Sequence, residues 1–278
     1  MTQVKRFMPT LYIIATPIGN LEDITLRALR ILKEVKLIAT EDTRKTRRLL
    51  TAYDIKNHMT SYYEHNKLTK LNYILEQLAS GDIALVSEAG MPGISDPGFE
   101  LVKTAIKKGI PVVPIPGASA VTAALAVSGL PTDRFLFLGF LPARVNARRH
   151  LLKEISYEKS TLVVYEAPHR LLASLKDMLS ELGNRRITVC RELTKLHEEI
   201  FRGAISDALV HFTAPRGEFT LVIEGVTDTR EPKLTPDIES QMKKMRRSGK
   251  TAKASISALA SQTGLSRKEL YRVWLKQK

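Results

Sequence analysis

The sequence alternates short apolar runs with longer segments in which apolar residues recur every three or four positions. The short runs predict buried strands and cover residues 11–15, 37–40, 83–87, 111–115, 135–140, 161–165, 187–190 and 218–224. The longer segments have the period of a helix and cover residues 23–35, 66–79, 96–108 and 168–182. Asp23 and Asp96 are predicted to cap two of these helices, with Pro97 as a first helical residue. Strands that alternate with helices of this length predict an α/β fold with largely parallel sheets.

The order of these elements predicts two α/β sub-domains, residues 1–116 and 117–226, which meet near Pro116 and Gly117. Residues 227–236 contain Pro232 and Pro236 and are typical of a linker. Residues 237–278 then form a small, basic, helical appendage.

The appendage has the signals of a basic helix followed by two helices that a turn connects. The basic helix covers residues 241–247 and ends near Gly249. Ala260 and Gly264 then stand four residues apart among apolar positions, which resembles a helix-turn-helix, and Ser266 is placed to cap the second helix. A plain helical hairpin explains this pattern equally well. The sequence therefore leaves a nucleic-acid reader and a structural hairpin as alternatives.

Three loops that follow predicted strands are rich in glycine, proline and small residues. They cover residues 16–20, 88–98 and 116–120. Such loops bring backbone N–H and C=O groups close to a ligand, although one such loop alone is more simply a tight turn. Ligands of open α/β sheets bind beyond the carboxyl ends of the strands, where all three loops lie. Together they favour a ligand site at one edge of a sheet.

Several common kinds of site are excluded by missing motifs. The sequence has no G-x-x-x-x-G-K-[ST] phosphate loop and no G-x-G-x-x-G after the first strand. It has no G-x-S-x-G hydrolase elbow, no H-E-x-x-H and no C-x-x-C, and its six histidines are scattered. We therefore expect no protein-bound metal.

The positive charge is concentrated near the end of the sequence. The chain has 278 residues, with 43 Lys+Arg against 29 Asp+Glu and a net charge of +14. Residues 233–278 alone hold 12 basic and 3 acidic residues. An excess of this size favours a polyanionic partner, and nucleic acid is the leading candidate.

The remaining composition is that of an ordinary globular protein. A content of 44% hydrophobic and 26% charged residues argues against a mainly disordered chain. The single cysteine, Cys190, excludes an internal disulfide and suits a reducing compartment. No apolar run approaches the roughly 20 residues that span a bilayer, and no signal peptide is indicated. We expect a cytoplasmic protein with no membrane segment.

Six short motifs occur in a fixed order along the chain. They are ATPIGNL from residue 15, EDTR from 41, SEAGMPGISDPG from 87, PG at 116, YEAPHR from 165 and RELTK from 191. Together, over about residues 10–225, they resemble the bacterial small-subunit (16S) ribosomal RNA cytidine 2′-O-methyltransferases. Those enzymes belong to the tetrapyrrole-methylase-like class of S-adenosylmethionine-dependent methyltransferases. The sequence departs from the family pattern at Glu88, where Asp is common, and at Met91, where Thr is common.

The resemblance implies S-adenosylmethionine as cofactor, held in a cleft between the two α/β sub-domains. It also implies a homodimer that acts on 16S ribosomal RNA, in our expectation within the small ribosomal subunit. The residues that match the family's cofactor site are Pro17, Ser87, Glu88, Ala89, Gly90, Pro92, Ile94, Ser95, Gly117, Ala118, Ser119, Ala120, Tyr165, Glu166, Ala167 and Thr220.

A methyl transfer to a ribose hydroxyl benefits from a base that removes its proton. Glu166, Glu192 and Lys195 are the leading candidates, and Glu41, Asp42 and His169 are weaker ones. Lys195 could act as a base only with a depressed pKa, and otherwise would hold a phosphate. Each glutamate could instead be the ion-pair partner of a neighbouring arginine.

Basic side chains that could contact RNA phosphates fall into three groups. Each could instead be a solvated helix face, but for residues 44–48 a helix that begins at the cofactor edge of the sheet slightly favours phosphate binding. The three groups are Arg44, Lys45, Arg47 and Arg48; Arg144, Arg148 and Arg149; and, in the appendage, Lys243, Lys244, Arg246, Arg247, Arg267, Lys268 and Arg272.

Two other functions remain open at this stage. A methyltransferase of a tetrapyrrole or another small molecule would not require the basic appendage. A nonenzymatic RNA-binding protein would not require three intact cofactor-type loops.

Overall fold

The computed structural model describes residues 9–63, 67–226, 236–263 and 265–276. The chain forms two compact units, Met1–Val226 and Thr227–Lys278. The first unit contains two five-stranded sheets with helices packed on them, and the second unit is helical.

The first sheet is entirely parallel, with the strand order β3-β2-β4-β1-β5. Its strands are β1 (Leu11–Ile14), β2 (Leu37–Thr40), β3 (Met59–Ser61), β4 (Ile83–Val86) and β5 (Val112–Ile115). Helices cover both of its faces, which is why its strands are continuous apolar runs. The prediction of a parallel sheet is right here.

The second sheet has the strand order β6-β7-β10-β8-β9. Its strands are β6 (Phe135–Phe140), β7 (Thr161–Glu166), β8 (Arg186–Arg191), β9 (Glu199–Ala204) and β10 (Phe219–Ile223). Only β6 and β7 are parallel, and the other three pairs are antiparallel. The prediction of largely parallel sheets is therefore wrong for this half. The loop of residues 192–198 between β8 and β9 is too short for the crossover that parallel neighbours need.

The helices lie between and after these strands. In the first unit they are α1 (Leu26–Glu34), α2 (Thr43–Ala52), α3 (Lys67–Leu78), α4 (Phe99–Lys107), α5 (Ala120–Ser128), α6 (Val145–Glu154), α7 (Leu171–Leu182) and α8 (Ile205–His211). In the second unit they are α9 (Pro236–Arg247), α10 (Ala252–Thr263) and α11 (Arg267–Lys276).

Both predicted aspartate caps are wrong. Asp23 ends a short 3-10 turn, and the side chain of Thr25 caps α1 by accepting a hydrogen bond from the N–H of Ala28 at 3.1 Å. The residue before α4 is Gly98, which has no side chain to cap with. Asp96 therefore lies in the loop before α4, where it lines the cavity described below.

Helix α5 connects the two sheets but packs only on the second. Val121, Ala124 and Leu125 form a cluster with apolar residues of β7, β8 and β10. On the other face of this sheet, α6, α7 and α8 cover the larger core cluster. The strands before residue 116 thus form one sheet, and the strands after it form the other. The sub-domain boundary at Pro116–Gly117 itself stays a prediction.

The second unit has its own apolar core, built from Met242, Ile256, Leu259, Leu265 and Leu270. Ser266 caps α11, as predicted: the N–H of Glu269 donates to its hydroxyl at 3.2 Å, and that hydroxyl donates back to the carboxylate at 2.8 Å. Gly264 and the linker residues 227–235 lie outside the described residues. The choice between helix-turn-helix and hairpin therefore stays open.

Arg148 of α6 was predicted to contact RNA, and this prediction is wrong. Its side chain is 3% exposed, and its Nε lies 2.7 Å from a carboxylate oxygen of Asp177 on α7. Arg149 contacts the other oxygen of Asp177 at 2.7 Å but is half exposed. Burial raises the pKa of Asp177, but the hydrogen bonds from the two arginines outweigh it and hold that pKa below its usual range. Arg148 is a structural ion that joins two helices.

We predict that Asp177→Ala lowers the free energy of unfolding by about 3–5 kcal/mol, because it leaves the Arg148 guanidinium buried without a counter-charge. Urea denaturation followed by circular dichroism measures this. Arg149→Ala is the matched control and should cost much less, since its side chain is half exposed to water. Equal losses in the two variants would contradict the structural role of the buried pair.

Candidate functional site

A cavity of about 370 Å³ lies where the carboxyl edge of the first sheet meets the second sheet. The loop after β4, the first residues of α5, the last residues of β7 and the first residues of β10 form its walls. The lining residues are Ile18, Glu41, Glu88, Ala89, Gly90, Met91, Ile94, Ser95, Asp96, Ser119, Ala120, Phe140, Tyr165, Glu166, Ala167, Pro168, Cys190, Leu193, Glu218, Phe219 and Thr220. Its size is that of a small-ligand site.

Most of the residues that the resemblance assigned to the cofactor lie in this wall. They are Glu88, Ala89, Gly90, Ile94, Ser95, Ser119, Ala120, Tyr165, Glu166, Ala167 and Thr220. Five others do not line the cavity: Pro17, Ser87, Pro92 and Ala118 each adjoin a lining residue, and Gly117 lies two residues before Ser119. The structure thus brings the predicted loops together, while their contacts with a cofactor stay a prediction.

The loop after β4 is tied to the loop after β1. The N–H of Thr16 donates to the carbonyl of Gly90 at 2.9 Å, and the N–H of Gly90 donates to the carbonyl of Thr16 at 3.0 Å. Gly90 has a φ of +82°, which a residue with a side chain rarely adopts. The Ser87 hydroxyl also donates to the Gly90 carbonyl, at 3.2 Å. These bonds hold the carboxylate-bearing loop against the cavity.

Three carboxylates of the first sheet's loops face this cavity: Glu41, Glu88 and Asp96. Glu88 forms a salt bridge with Lys45 of α2. Burial raises the pKa of Asp96; a hydrogen bond with Ser87 lowers it in part, and the charge of Glu88 raises it further. Burial, with the charges of Asp96 and Glu88, likewise raises the pKa of Glu41. The cavity therefore holds carboxyl groups that take up a proton more readily than usual.

The second sheet faces these carboxylates with aromatic and small side chains. Burial raises the pKa of Tyr165, and the negative charge of Asp96 adds to that rise, which places the two side chains within electrostatic reach across the cavity. Burial also raises the pKa of the Cys190 thiol to about 11, so this thiol stays protonated and is not a nucleophile.

Glu166, a predicted base, lines the cavity with a carboxylate that is already held in place. It accepts hydrogen bonds from the Ser174 hydroxyl and from the N–H of Ala167, the latter at 2.9 Å. The Arg170 guanidinium lies 3.3 Å from the same carboxylate. Because the side chain is buried and fully engaged, these contacts favour an anchoring role over a base.

Glu192 and Lys195 lie beside the cavity rather than in its wall. The Lys195 ammonium donates to Glu192 at 2.8 Å and to Glu218 at 3.0 Å. Burial lowers the pKa of Lys195, but these hydrogen bonds outweigh it and raise that pKa above its usual value. Burial raises the pKa of Glu192, yet its bonds with Lys195 and the Glu218 N–H lower it overall. The depressed lysine pKa that a base would need is therefore not found.

The remaining basic residues that were predicted to contact RNA are exposed. In the first unit they are Arg44, Lys45, Arg47, Arg48, Arg144 and Arg149, and in the second unit Lys243, Lys244, Arg246, Arg247, Arg267, Lys268 and Arg272. The group on α2 adjoins the cavity, because Asp42 caps this helix directly after Glu41. Within this group Lys45 pairs with Glu88, and Arg44 pairs with Asp42 at 3.4 Å.

Sequence reasoning missed Asp96 and Phe140 as cavity residues. Asp96 stands in a recognised loop motif but was interpreted as a helix cap, since Asp before Pro is a common helix start. Phe140 ends a predicted strand, and only the preceding Gly139 signals that the strand is irregular. In the part of the chain that the structure describes, no group of His, Cys, Asp or Glu side chains is arranged to hold a metal ion. No described helix is long and apolar enough to cross a membrane.

We predict that Gly117→Ala weakens binding of S-adenosylhomocysteine by about tenfold or more, equivalent to about 1.4 kcal/mol. A Cβ at residue 117 would lie 2.9 Å from the Cβ of Ala15, so the loop that leads to Ser119 and Ala120 must move. Isothermal titration calorimetry measures the affinity.

The same contact supplies a control for this variant. Ala15→Gly removes the opposing Cβ, so the double variant should recover most of the lost affinity. Failure of the double variant to recover while its melting temperature is normal would show that the 15–117 contact does not shape the site.

The family model of the Tetrapyrrole (Corrin/Porphyrin) Methylases matches residues 10–209. Ribosomal RNA small subunit methyltransferase I of Halalkalibacterium halodurans is 48% identical over 275 residues, which are 95% of this chain and 94% of the relative. The protein of the same name from Thermotoga maritima is 50% identical over 221 residues, 78% of this chain and 99% of the relative.

Solved structures share the fold at low identity. Uroporphyrin-III C-methyltransferase from Thermus thermophilus, in complex with S-adenyl homocysteine, has a TM-score of 0.55 and 21% identity over 77% of this chain and 97% of that chain. Diphthine synthase has a TM-score of 0.59 and 14% identity over 77% of this chain and 90% of that chain. The chain belongs to the tetrapyrrole methylase family, and within it is similar over 95% of its length to a ribosomal RNA small subunit methyltransferase I.

Proposed function

We propose that this protein transfers a methyl group from S-adenosylmethionine to the ribose 2′-hydroxyl of a cytidine in small-subunit (16S) ribosomal RNA. The observation that carries this proposal is the cavity, whose walls are the motif loops of the family and whose rim adjoins the basic face of α2. Relatives that are 48% and 50% identical and carry the name of a ribosomal RNA methyltransferase support the substrate class.

The residues present fit this methyl donor. Glu41, Glu88 and Asp96 give the cavity a negative potential, which suits a ligand with a cationic sulfonium and ammonium. The N-terminus of α5, at Ser119 and Ala120, lines the same cavity with backbone N–H groups that suit a carboxylate. S-adenosylmethionine supplies a methyl group that is already activated for transfer, so the chain needs to position the acceptor and remove its proton.

Asp96 is the residue that we assign to proton removal. Among the described cavity carboxylates, Glu88, Glu166 and Glu218 each form a salt bridge, whereas Glu41 and Asp96 form none. The charge of Lys45 lowers the pKa of Glu41 in part, but no cation among the described residues offsets the rise in the pKa of Asp96. Burial raises the pKa of Asp96, which improves its carboxylate as a base. Lys195, with its raised pKa, remains a cation that orients Glu192 and Glu218.

Basic surfaces outside the cavity would hold the RNA. Arg44, Arg47 and Arg48 lie on the exposed face of α2 beside the cavity rim and would contact phosphates, although Arg44 also pairs with Asp42. The second unit adds a separate basic surface on α9 and α11, which we propose also binds RNA.

Three broader assignments follow from this function and remain part of the proposal. The acceptor is the RNA within the small ribosomal subunit, the protein acts in the cytoplasm where ribosomes are assembled, and it works as a homodimer. Residues 1–116 and 117–226 then supply the two walls of the cofactor cleft, and residues 227–236 connect them to the RNA-binding appendage.

Deleting the gene tests the function directly. Ribosomal RNA from the deletion strain should lack one ribose-methylated cytidine, detected as loss of one alkali-resistant dinucleotide by mass spectrometry. Adding back the purified protein and S-adenosylmethionine should restore it. An unchanged set of ribose methyl groups together with no methyl transfer in vitro would overturn the proposal, and transfer to a tetrapyrrole alone would favour a small-molecule methylase.

We predict that Asp96→Asn lowers kcat by about 10²- to 10⁴-fold while S-adenosylhomocysteine still binds. In the wild type, kcat/KM should rise with pH through the pKa of Asp96, which burial raises from its ordinary value. Ser87→Ala removes the hydrogen bond that lowers this pKa, so its kinetic pKa should move to higher pH. A wild-type pH profile that Asp96→Asn leaves unchanged would contradict the assignment.

Asp96→Asn should also stabilise the protein, which gives an independent check. Because folding raises the pKa of Asp96, its charge destabilises the folded state at pH values above the folded pKa, and this penalty disappears below the unfolded pKa. The variant's gain in melting temperature should therefore be present at neutral pH and fade as the pH falls into the acidic range. A gain that is independent of pH would contradict the buried-charge explanation.

We predict that changing Arg267, Lys268 and Arg272 of α11 to glutamine weakens RNA binding and leaves S-adenosylhomocysteine binding unchanged. If each contacts one phosphate of a single strand, the slope of log K against log salt concentration should fall by about 2. Changing Lys33, Lys103 and Lys107 of α1 and α4 to glutamine removes the same charge and should leave that slope nearly constant. Equal losses in both variants would mean that net charge, and not the appendage, holds the RNA.

A further inference from the structure

Strand β6 contains a bulge that decides where Phe140 lies. Phe137 pairs with Val163 of β7, but Phe140 pairs with Tyr165, so β6 has one more residue than β7 between the two pairs. Gly139 lies within this interval and has a φ of +64°. A bulge of this kind changes which face of the sheet the following side chains occupy.

The change of face moves Phe140 to the cavity. Leu136 and Leu138 pack against the core under α6 and α7, and Phe137 packs on the α5 side. In a regular strand Phe140 would follow Leu136 and Leu138. It lies instead beside Tyr165, with their ring centroids 5.6 Å apart.

The ring is uncovered in spite of this contact. Phe140 is 55% exposed although it lines the cavity, and Ile94 in the opposing loop is 50% exposed. The bulge favours glycine at residue 139, because the φ of +64° disfavours a side chain and a Cβ there would lie 3.1 Å from the hydroxyl oxygen of Ser95. The protein therefore maintains a phenyl ring at the rim with one surface open to a flat ligand.

The position of the ring separates the two ligands of the reaction. Cys190, Phe219 and Thr220 are at most 5% exposed, so the deep wall suits the methyl donor. An RNA strand is too large to enter a cavity of about 370 Å³, so only a splayed nucleotide can reach it, with its base near the rim. The basic face of α2 adjoins the same rim and suits the phosphates on either side of that nucleotide.

We infer that Phe140 is the platform on which the base of the acceptor nucleotide stacks. The inference rests on the proposed function. Stacking against Phe140, beside Tyr165 and within reach of Asp96, would bring the ribose of that nucleotide to the carboxylates of the cavity. Phe140 would then select a splayed, unpaired nucleotide as acceptor.

Steady-state methylation of small subunits from the deletion strain tests this, with the full-length protein and radiolabelled S-adenosylmethionine. Phe140→Ala should lower kcat/KM for the subunit about tenfold to hundredfold, the range for loss of one base–aromatic stack. Phe140→Tyr should retain most of the activity, and Phe140→Leu should behave like the alanine variant because it keeps apolar volume without a ring. Affinity for S-adenosylhomocysteine, measured by calorimetry, should be unchanged in all three.

Phe135 provides a matched control on the same strand. It is 46% exposed but lies at the other end of β6, outside the cavity wall. Phe135→Ala should therefore leave kcat/KM for the subunit at the wild-type value.

Two results would overturn the inference. Full activity of Phe140→Ala would show that no base stacks there, and a parallel loss of S-adenosylhomocysteine affinity would assign the ring to the methyl donor. Both results can be distinguished from failure of the proposed function. In that case the wild-type protein itself would not methylate the subunit.

Discussion

Two main-chain hydrogen bonds between Thr16 and Gly90 hold the functional end of this protein together. They join the loops that follow β1 and β4, two neighbouring parallel strands whose carboxyl ends would otherwise carry independent turns. The positive φ of Gly90 lets the chain turn back after this contact, so Glu88 and Asp96 face the second sheet on the same loop. The position of the cavity's negative charge therefore depends on backbone geometry rather than on flexible side chains.

The carboxylates of the cavity divide into those that pair with a cation and two, Glu41 and Asp96, that form no described salt bridge. Glu88, Glu166 and Glu218 each face a cation, and such pairs hold a carboxylate in one orientation. In the part of the chain that the structure describes, Asp96 has no salt-bridge partner, and burial brings its two protonation states closer in energy. A group that transfers protons needs two protonation states of similar energy. A stable fold does not need this, and an unpaired buried charge in fact lowers its stability.

The sequence predicts those features that depend on local pattern. The buried strands of the first sheet are apolar runs because helices cover both faces, and the motif loops must share an edge once the strands are parallel. The direction of the strands in the second sheet could not be predicted in this way, because a buried apolar strand has the same sequence pattern whether its neighbours are parallel or antiparallel. Arg148 could not be assigned from local pattern either. Its partner Asp177 is 29 residues away in the sequence, and the helical spacing of Arg148 with its neighbouring arginines suggested an exposed position.

The cavity by itself does not explain why an RNA should be the acceptor, since a uroporphyrin-III C-methyltransferase shares this fold at 21% identity. The features that favour a polymer lie at the rim and beyond it. An extra residue in β6 moves one phenyl ring to the rim, and a helix that begins directly after Glu41 presents arginines beside it. Neither feature alters the deep wall that suits the methyl donor. The bulge and the charged helix face therefore suit one nucleotide of a large RNA, because the proposed sites of donor and acceptor are separated along the depth of the cavity.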